Sequence, residues 1–213
     1  MKNNLLASLI VFAALTLMAF RTKPHGQIVC FGDSITYGAT VNGHSWVWYL
    51  QQANHSGIDF INAGRSGRRT ADKKELLPVL EKYPHADYYL IFLGVNDLKD
   101  GTPAMVDSCI ANMQWMIDKI KASDPHTKIV LLAPTGINVQ TMSEVNVAKK
   151  YNANTQNALN ILEKKYHALA KQEHLGFISL LHAVSAPNYN DGLHPDEAGQ
   201  QQIEKAVWKG LNH

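Results

Sequence analysis

Three residues of the chain, Ser34, Asp191 and His194, are of the types that acyl transfer requires. This chemistry needs a hydroxyl nucleophile, an imidazole that accepts its proton and a carboxylate that orients the imidazole. Asp191 precedes His194 by three positions in Asp-Gly-Leu-His-Pro, so the two side chains can fold back on each other within one loop. In such a scheme Ser34 attacks an ester carbonyl, His194 passes the proton to the leaving alcohol, and Asp191 fixes the tautomer of His194.

Hydrogen-bond donors for the oxygen that becomes negative during acyl transfer are available at three positions. They are the backbone N–H groups of Ser34 and Gly64 and the side-chain amide of Asn96. An uncharged amide suits this task because it donates without having to ionise. We therefore predict a catalytic set of Ser34, His194 and Asp191, with an oxyanion hole formed by Ser34, Gly64 and Asn96.

Several of these residues also have a purely structural interpretation. Asp33 and Ser34 could shape a turn or cap a helix, and Asp191-Gly192 is a good turn sequence. Asp33 and Asp97 are expected to shape loops rather than to take part in catalysis.

Apolar runs place the candidate residues at the ends of predicted strands. Ser34 follows the run that begins at Ile28, Gly64 follows a second run, Asn96 follows a third, and His194 lies beyond the last. Ligands of open parallel sheets bind outside the carboxyl ends of the strands, so these residues are expected at one edge of the sheet. After the first, the predicted strands cover residues 58–62, 87–93, 128–133 and 176–180.

Helical patterns alternate with these strands. The strands are continuous apolar runs, as expected when helices cover both faces of a parallel sheet. We predict a three-layer α/β/α domain with about five parallel strands in the flavodoxin-like order 2-1-3-4-5. The predicted helices cover residues 45–54, 72–81, 102–123, 145–173 and 197–211.

Four sequence blocks resemble those of the SGNH hydrolases, also called GDSL esterases and lipases. They are Gly32-Asp33-Ser34-Ile35-Thr36, Asn62-Ala63-Gly64, Gly94-Val95-Asn96-Asp97 and Asp191-Gly192-Leu193-His194-Pro195, and they occur in the family's order. The resemblance covers the chain from about Ile28 to its C-terminus. It implies the family's three-layer α/β fold, with Ser34 as nucleophile, His194 as base, Asp191 as the third triad member, and Gly64 and Asn96 in the oxyanion hole.

The segment from Gly64 to Thr70 also looks like the second block of small arylesterases and carbohydrate acetylesterases. Its arginines, Arg65, Arg68 and Arg69, have an alternative interpretation as solvated loop charges. Of the nearby tryptophans Trp46 and Trp48, one is expected in the core.

The N-terminal segment differs in composition from the rest of the chain. A short basic start precedes an apolar run from Leu5 to Phe20, and Arg21 and Lys23 follow it. The pattern predicts a signal peptide or an N-terminal anchor over residues 1–23 and a hydrolase domain over residues 24–213. On either interpretation the domain is exported, to the periplasm or the outside of the cell.

Charge and composition argue against several other classes of function. A net charge of +2 without a basic stripe gives no basis for binding nucleic acid. The proposed chemistry needs no cofactor, and the histidines lack the paired spacing of a helical zinc motif. Membrane contact is expected only if the N-terminal segment is not cleaved. Cys30 and Cys109 are expected to be small buried hydrophobic residues, although export would allow them to form a disulfide.

These observations together predict a serine esterase that removes short acyl groups, above all acetyl, from carbohydrates or other small esters. The expectation of a small acyl group rests on the exported location and on the lack of a long apolar insertion. Two alternatives remain open. One is a thioesterase or lysophospholipase that acts on longer acyl chains, and the other is an inactive binding protein with the same fold.

Overall fold

The computed structural model describes residues 26–212. The predicted signal peptide or anchor over residues 1–23 therefore lies outside the described residues. Within the described part of the chain, no helix combines the length and the apolar character needed to cross a membrane.

A parallel sheet of five strands in the order β2-β1-β3-β4-β5 forms the centre of the domain, which confirms the predicted order. Gly32 at the end of β1 is paired with Gly64 of β2 on one side and with Phe92 of β3 on the other. The carboxyl ends of β1, β2 and β3, where the first three sequence blocks lie or begin, therefore meet at one edge. The strands are β1 (Gly26–Gly32), β2 (Ile58–Gly64), β3 (Tyr88–Phe92), β4 (Lys128–Ala133) and β5 (Gly176–Ser179).

Helices surround this sheet and complete the three layers. The α-helices are α1 (Ser34–Tyr37), α2 (Trp46–Gln52), α3 (Leu77–Lys82), α4 (Pro103–Ser123), α5 (Glu144–Ala148), α6 (Ala153–Glu173) and α7 (Glu197–Leu211). Helix α2 packs against α7, and α4 packs against α6. Short 3-10 helices cover Thr70–Leu76, Lys99–Gly101 and Val139–Thr141.

The predicted helix over residues 145–173 is wrong as one continuous element. It is divided into α5 and α6 by Lys150, whose φ of 73° lies in the left-handed region. Asn152 then caps α6 because its side chain accepts hydrogen bonds from the N–H groups of Asn154 and Thr155. No proline or glycine marks this break in the sequence, so the pattern of residues alone did not show it.

The hydrophobic core confirms the assignments of the tryptophans and cysteines. Trp46 is fully buried, whereas Trp48 is partly exposed. Cys30 and Cys109 are both buried free thiols, so the structure contains no disulfide between them. Burial raises the pKa of each thiol, which keeps both protonated.

Candidate active site

Ser34, His194 and Asp191 form a continuous chain of polar contacts at the carboxyl edge of the sheet. Ser34 Oγ lies 3.0 Å from His194 Nε2. On the other side of the ring, His194 Nδ1 lies 2.9 Å from Asp191 Oδ2. If Nδ1–H donates to the carboxylate, Nε2 is the acceptor for the Ser34 hydroxyl proton.

Ser34 owes its position to the short helix that follows β1. It is the first residue of α1, and the side chain of Asp33 caps this helix by accepting a hydrogen bond from Ile35 N–H at 3.0 Å. The alternative function foreseen for Asp33, capping a helix, is thus what the structure shows. Because the first N–H groups of a helix have no acceptor within it, Ser34 N–H is left available for an outside acceptor.

The turn from Asp191 to His194 holds the carboxylate in place from its own backbone. Asp191 Oδ1 accepts hydrogen bonds from Leu193 N–H at 3.1 Å and from His194 N–H at 2.7 Å. Gly192 permits this turn, since its φ is 77° and a Cβ there would lie 2.5 Å from Met142 Cα. Burial acts to raise the pKa of Asp191, but the hydrogen bonds from His194 outweigh it and bring the pKa well below its ordinary value. Asp191 is therefore ionised at neutral pH, where its carboxylate can orient His194.

Asn96 is buried beside this chain of contacts, and other side chains hold its amide. Its Oδ1 accepts a hydrogen bond from the Tyr151 hydroxyl at 2.7 Å. Its Nδ2 donates to Arg68 O at 3.1 Å and lies 3.4 Å from Asp33 Oδ2. Tyr151 fixes which end of the amide is the donor end, and no sequence motif pointed to this residue.

Gly64 lies at the same edge, but its N–H group has an internal acceptor. It donates to Asn62 Oδ1 at 2.9 Å, while Asn62 Nδ2 donates to Thr36 O at 2.7 Å. A Cβ at Gly64 would lie 2.4 Å from Tyr37 N. The glycine thus allows β2 to approach the backbone of α1 closely.

The interpretation of the three loop arginines as solvated charges is wrong for Arg68. This side chain is only 6% exposed, and its Nη1 donates to the carbonyl oxygens of Gly32 and Ala63 at 2.6 Å each. Its guanidinium also lies 4.1 Å from the centre of the Phe31 ring and donates to Glu75. Arg65 and Arg69 are exposed, as solvated loop charges would be.

Two carboxyl groups, the partly buried Asp97 and the buried Asp33, support the loops around the site. Asp97 accepts hydrogen bonds from both the N–H and the hydroxyl of Thr70, which fixes the start of the 3-10 helix that leads into α3. This helix is the beginning of the segment predicted as a helix over residues 72–81. Burial raises the pKa of Asp33 to about 6, although hydrogen bonding to Ile35 and the proximity of His194 act in the opposite direction.

A small cavity opens at this edge, with a volume of about 270 Å³. Ser34, Asn96 and His194 all line it, whereas Gly64 and Asp191 do not. The rest of the lining consists of Ala39, Ser66, Gly67, Lys99, Lys149, Tyr151 and Leu193. Among the residues that the structure describes, no group of histidine, cysteine and carboxylate side chains could hold a metal ion.

Comparisons with known proteins agree with this architecture. A profile of the GDSL-like lipase/acylhydrolase family matches residues 30–202 of the chain. A search of curated protein sequences finds no significant match.

Solved structures similar to this chain include the native aryl esterase of M. smegmatis, with 21% sequence identity, a TM-score of 0.74, and coverage of 87% of this chain and 98% of that one. A carbohydrate acetylesterase family member from Sinorhizobium meliloti has 20% identity and a TM-score of 0.71, covering 88% of this chain and 100% of that one. A lipase/acylhydrolase from Enterococcus faecalis has 20% identity and a TM-score of 0.68, covering 88% and 95%. At these identities the structural likeness shows the fold, and the family profile shows the family. The chain belongs to the GDSL-like lipase/acylhydrolase family, the SGNH hydrolases, and is an esterase of that family.

Proposed function

We propose that this esterase hydrolyses small acyl esters through a covalent acyl-enzyme on Ser34. The observation that carries this proposal is the chain of contacts from Ser34 Oγ through His194 to Asp191, with distances of 3.0 Å and 2.9 Å. A nucleophile and a base within hydrogen-bond reach, with a carboxylate orienting the base, form the arrangement that activates a serine.

In the first half of the reaction, His194 Nε2 accepts the hydroxyl proton as Ser34 Oγ forms a bond to the ester carbonyl carbon. Asp191 stabilises the imidazolium that results without accepting its proton. The tetrahedral intermediate then collapses, the bond from carbon to the leaving oxygen breaks, and His194 donates its proton to that oxygen. In the second half a water molecule takes the place of the alcohol and releases the acyl group as an acid.

The negative oxygen of the intermediate needs donors, and we assign these to Ser34 N–H, Gly64 N–H and the amide of Asn96. The Ser34 donor is available from the start, because it lies at the first turn of α1. To bind the oxyanion, Gly64 N–H must leave its present acceptor, Asn62 Oδ1, or donate to both acceptors at once. Asn96 Nδ2 must do the same with its acceptor, Arg68 O. A full negative charge is the stronger acceptor, since hydrogen bonds to charged groups are about twice as strong as neutral ones.

The size of the cavity supports a preference for short acyl groups. Its volume of about 270 Å³ is slightly smaller than the roughly 300–1,000 Å³ that ligand pockets usually span. The structural likeness to a carbohydrate acetylesterase family member and to an aryl esterase is in keeping with acetyl esters of sugars or small alcohols. We therefore propose acetyl as the preferred acyl group.

The test is the initial rate of hydrolysis of p-nitrophenyl esters from acetate to a long-chain acid, measured on the native protein and on Ser34→Ala. We expect the highest kcat/KM for the shortest esters and no activity above background for the variant. Rates that rise with chain length would favour a thioesterase or lysophospholipase. Equal activity of the two proteins would show that Ser34 is not the nucleophile, and inactivity of both would favour a binding protein.

A further inference from the structure

Two lysines, Lys99 and Lys149, line the same cavity as Ser34 and His194. No aspartate or glutamate belongs to that lining. The two lysines come from different segments of the chain, since Lys99 follows the third sequence block and Lys149 follows α5. Two separate segments of the chain therefore contribute positive charge to the lining of this cavity.

The fold places these lysines through contacts between their sequence neighbours. Asp100 N–H donates to Lys150 O at 3.1 Å, and Lys150 Nζ lies 3.1 Å from Asp100 Oδ2. Asp100 and Lys150 have φ values of 64° and 73°, in the left-handed region that costs a residue other than glycine about 1 kcal/mol or more. Two such residues, joined by backbone and side-chain contacts, hold the segments together.

These contacts use the charge of Lys150 and leave those of Lys99 and Lys149 for another partner. Within the described ranges, neither of the two forms an ion pair with a carboxylate, whereas Lys150 does. Lys99 Nζ lies 5.5 Å from the centre of the Tyr151 ring, so its ammonium group faces a residue that contacts Asn96. Lys149 is exposed.

We propose that Lys99 and Lys149 bind an anionic group on the alcohol part of the ester, and that the preferred substrates carry a carboxylate there. This inference rests on the proposed function for the position of the ester. We place the acyl group next to Ser34 and the alcohol part of the ester along the two lysines, which line the same cavity. Two ammonium groups attract a carboxylate during encounter and donate charge-assisted hydrogen bonds once it is bound.

The test compares two acetyl esters of similar shape, 4-acetoxybenzoate and the neutral 4-acetoxybenzamide. The measured quantity is the ratio of their kcat/KM values in the native protein and in the double variant Lys99→Gln/Lys149→Gln. The intrinsic difference in reactivity between the esters cancels when the ratios of two proteins are compared. We expect the double variant to lower the anionic-to-neutral ratio about tenfold, as the loss of a charged hydrogen bond would.

Two further variants sharpen the result. The double variant Lys99→Glu/Lys149→Glu is expected to lower the ratio further, because it replaces attraction by repulsion. Lys164→Gln removes one positive charge from an exposed position of α6 outside the cavity lining and should leave the ratio unchanged. An equal ratio in the native protein and both double variants would overturn the proposal, as would an equal fall in Lys164→Gln.

Binding separates this proposal from the proposed function. Calorimetric titration of Ser34→Ala with 4-acetoxybenzoate should give a dissociation constant about tenfold lower than titration of Ser34→Ala/Lys99→Gln/Lys149→Gln. If the native protein hydrolyses neither ester but this difference is found, the anion site stands and the proposed function fails. If both esters are hydrolysed and neither the ratio nor the binding depends on the lysines, the anion site alone fails.

Discussion

The two sides of the candidate active site differ in how their hydrogen bonds are occupied. On the side assigned to proton transfer, Ser34, His194 and Asp191 already contact one another in the order that the proposed mechanism uses. On the side of the oxyanion hole, two of the three donors are directed to acceptors of the protein itself, Asn62 Oδ1 and Arg68 O. In the proposed mechanism, proton transfer is therefore preorganised, whereas stabilisation of the oxyanion requires an exchange of acceptors.

This difference has a physical reason. An imidazole and a carboxylate satisfy each other, so their contact is stable without substrate. Buried donors that are directed at an oxyanion site would have no acceptor when the intermediate is absent, at a cost of about 1–3 kcal/mol each. Internal acceptors remove that cost, and the charge of the intermediate can displace them because it binds the donors more strongly. Changes on the two sides should therefore have effects of different size.

The largest of the expected effects comes from Asp191→Asn. The Oδ1 atom of asparagine can still accept from the N–H groups of Leu193 and His194, so the turn is kept. The amide NH₂ group then faces His194 Nδ1 and favours the wrong tautomer. We expect kcat to fall by about 10⁴-fold with a similar melting temperature, measured by steady-state kinetics and thermal unfolding. Near-normal turnover would contradict the role of Asp191.

A smaller loss is expected on the oxyanion side, from Asn96→Ala. Removal of one oxyanion donor lowers kcat by about 10²–10³-fold and should change KM much less. Tyr151→Phe is the matched variant, since it keeps the amide of Asn96 but removes the hydroxyl that orients it. Its kcat should lie between those of the native protein and Asn96→Ala. If Asn96→Ala raised KM alone, Asn96 would bind the ground state rather than the transition state.

Arg68→Met tests the hydrogen bonds that support the oxyanion side of the site. The change removes the donor shared by the carbonyl groups of Gly32 and Ala63, and the second of these belongs to the peptide group that carries Gly64 N–H. We expect a loss of about 3 kcal/mol in the free energy of unfolding, measured with urea, from two acceptors left without this donor. Arg65→Met is the control, because exposed ion pairs contribute only about 0–1 kcal/mol. Equal losses in the two variants would show that burial of Arg68 adds nothing.

The smallest expected effect concerns the pH dependence of stability through Asp33. Its folded-state pKa of about 6 lies above the ordinary value of 3.8. Its contribution is therefore fully present below about pH 4 and is lost as the pH rises through 6. Asn is as good a cap as Asp but does not ionise. The free energy of unfolding of native protein relative to Asp33→Asn should thus fall by roughly 2 kcal/mol between pH 4 and pH 7. A constant difference would contradict the raised pKa.

The sequence could predict the strands, which are apolar runs, and the site residues that follow them. Such runs locate the strands, and right-handed crossovers leave few possible orders for them. The structure confirms the order 2-1-3-4-5 and brings Ser34, Asn96 and His194 to one cavity. These results follow from local patterns and from the topology of parallel sheets.

Features that depend on contacts between distant segments could not be predicted in this way. Arg68 is buried because its partners are Phe31 and two strand-end carbonyl groups, and nothing in its own segment distinguishes it from Arg65. Tyr151, which contacts Asn96, lies where the predicted long helix breaks into α5 and α6. The acceptor of Gly64 N–H is likewise a matter of side-chain placement, which apolar spacing does not describe.

The measurement that tests the central claim most directly is the site of covalent labelling by a fluorophosphonate, located by peptide mass spectrometry. An activated serine attacks phosphorus, expels fluoride and retains the phosphonyl group. We expect one label, on Ser34, in the native protein, much slower labelling in Asp191→Asn, and none in Ser34→Ala. A label on another residue, or equal labelling of Ser34→Ala, would contradict the assignment of Ser34 as the nucleophile.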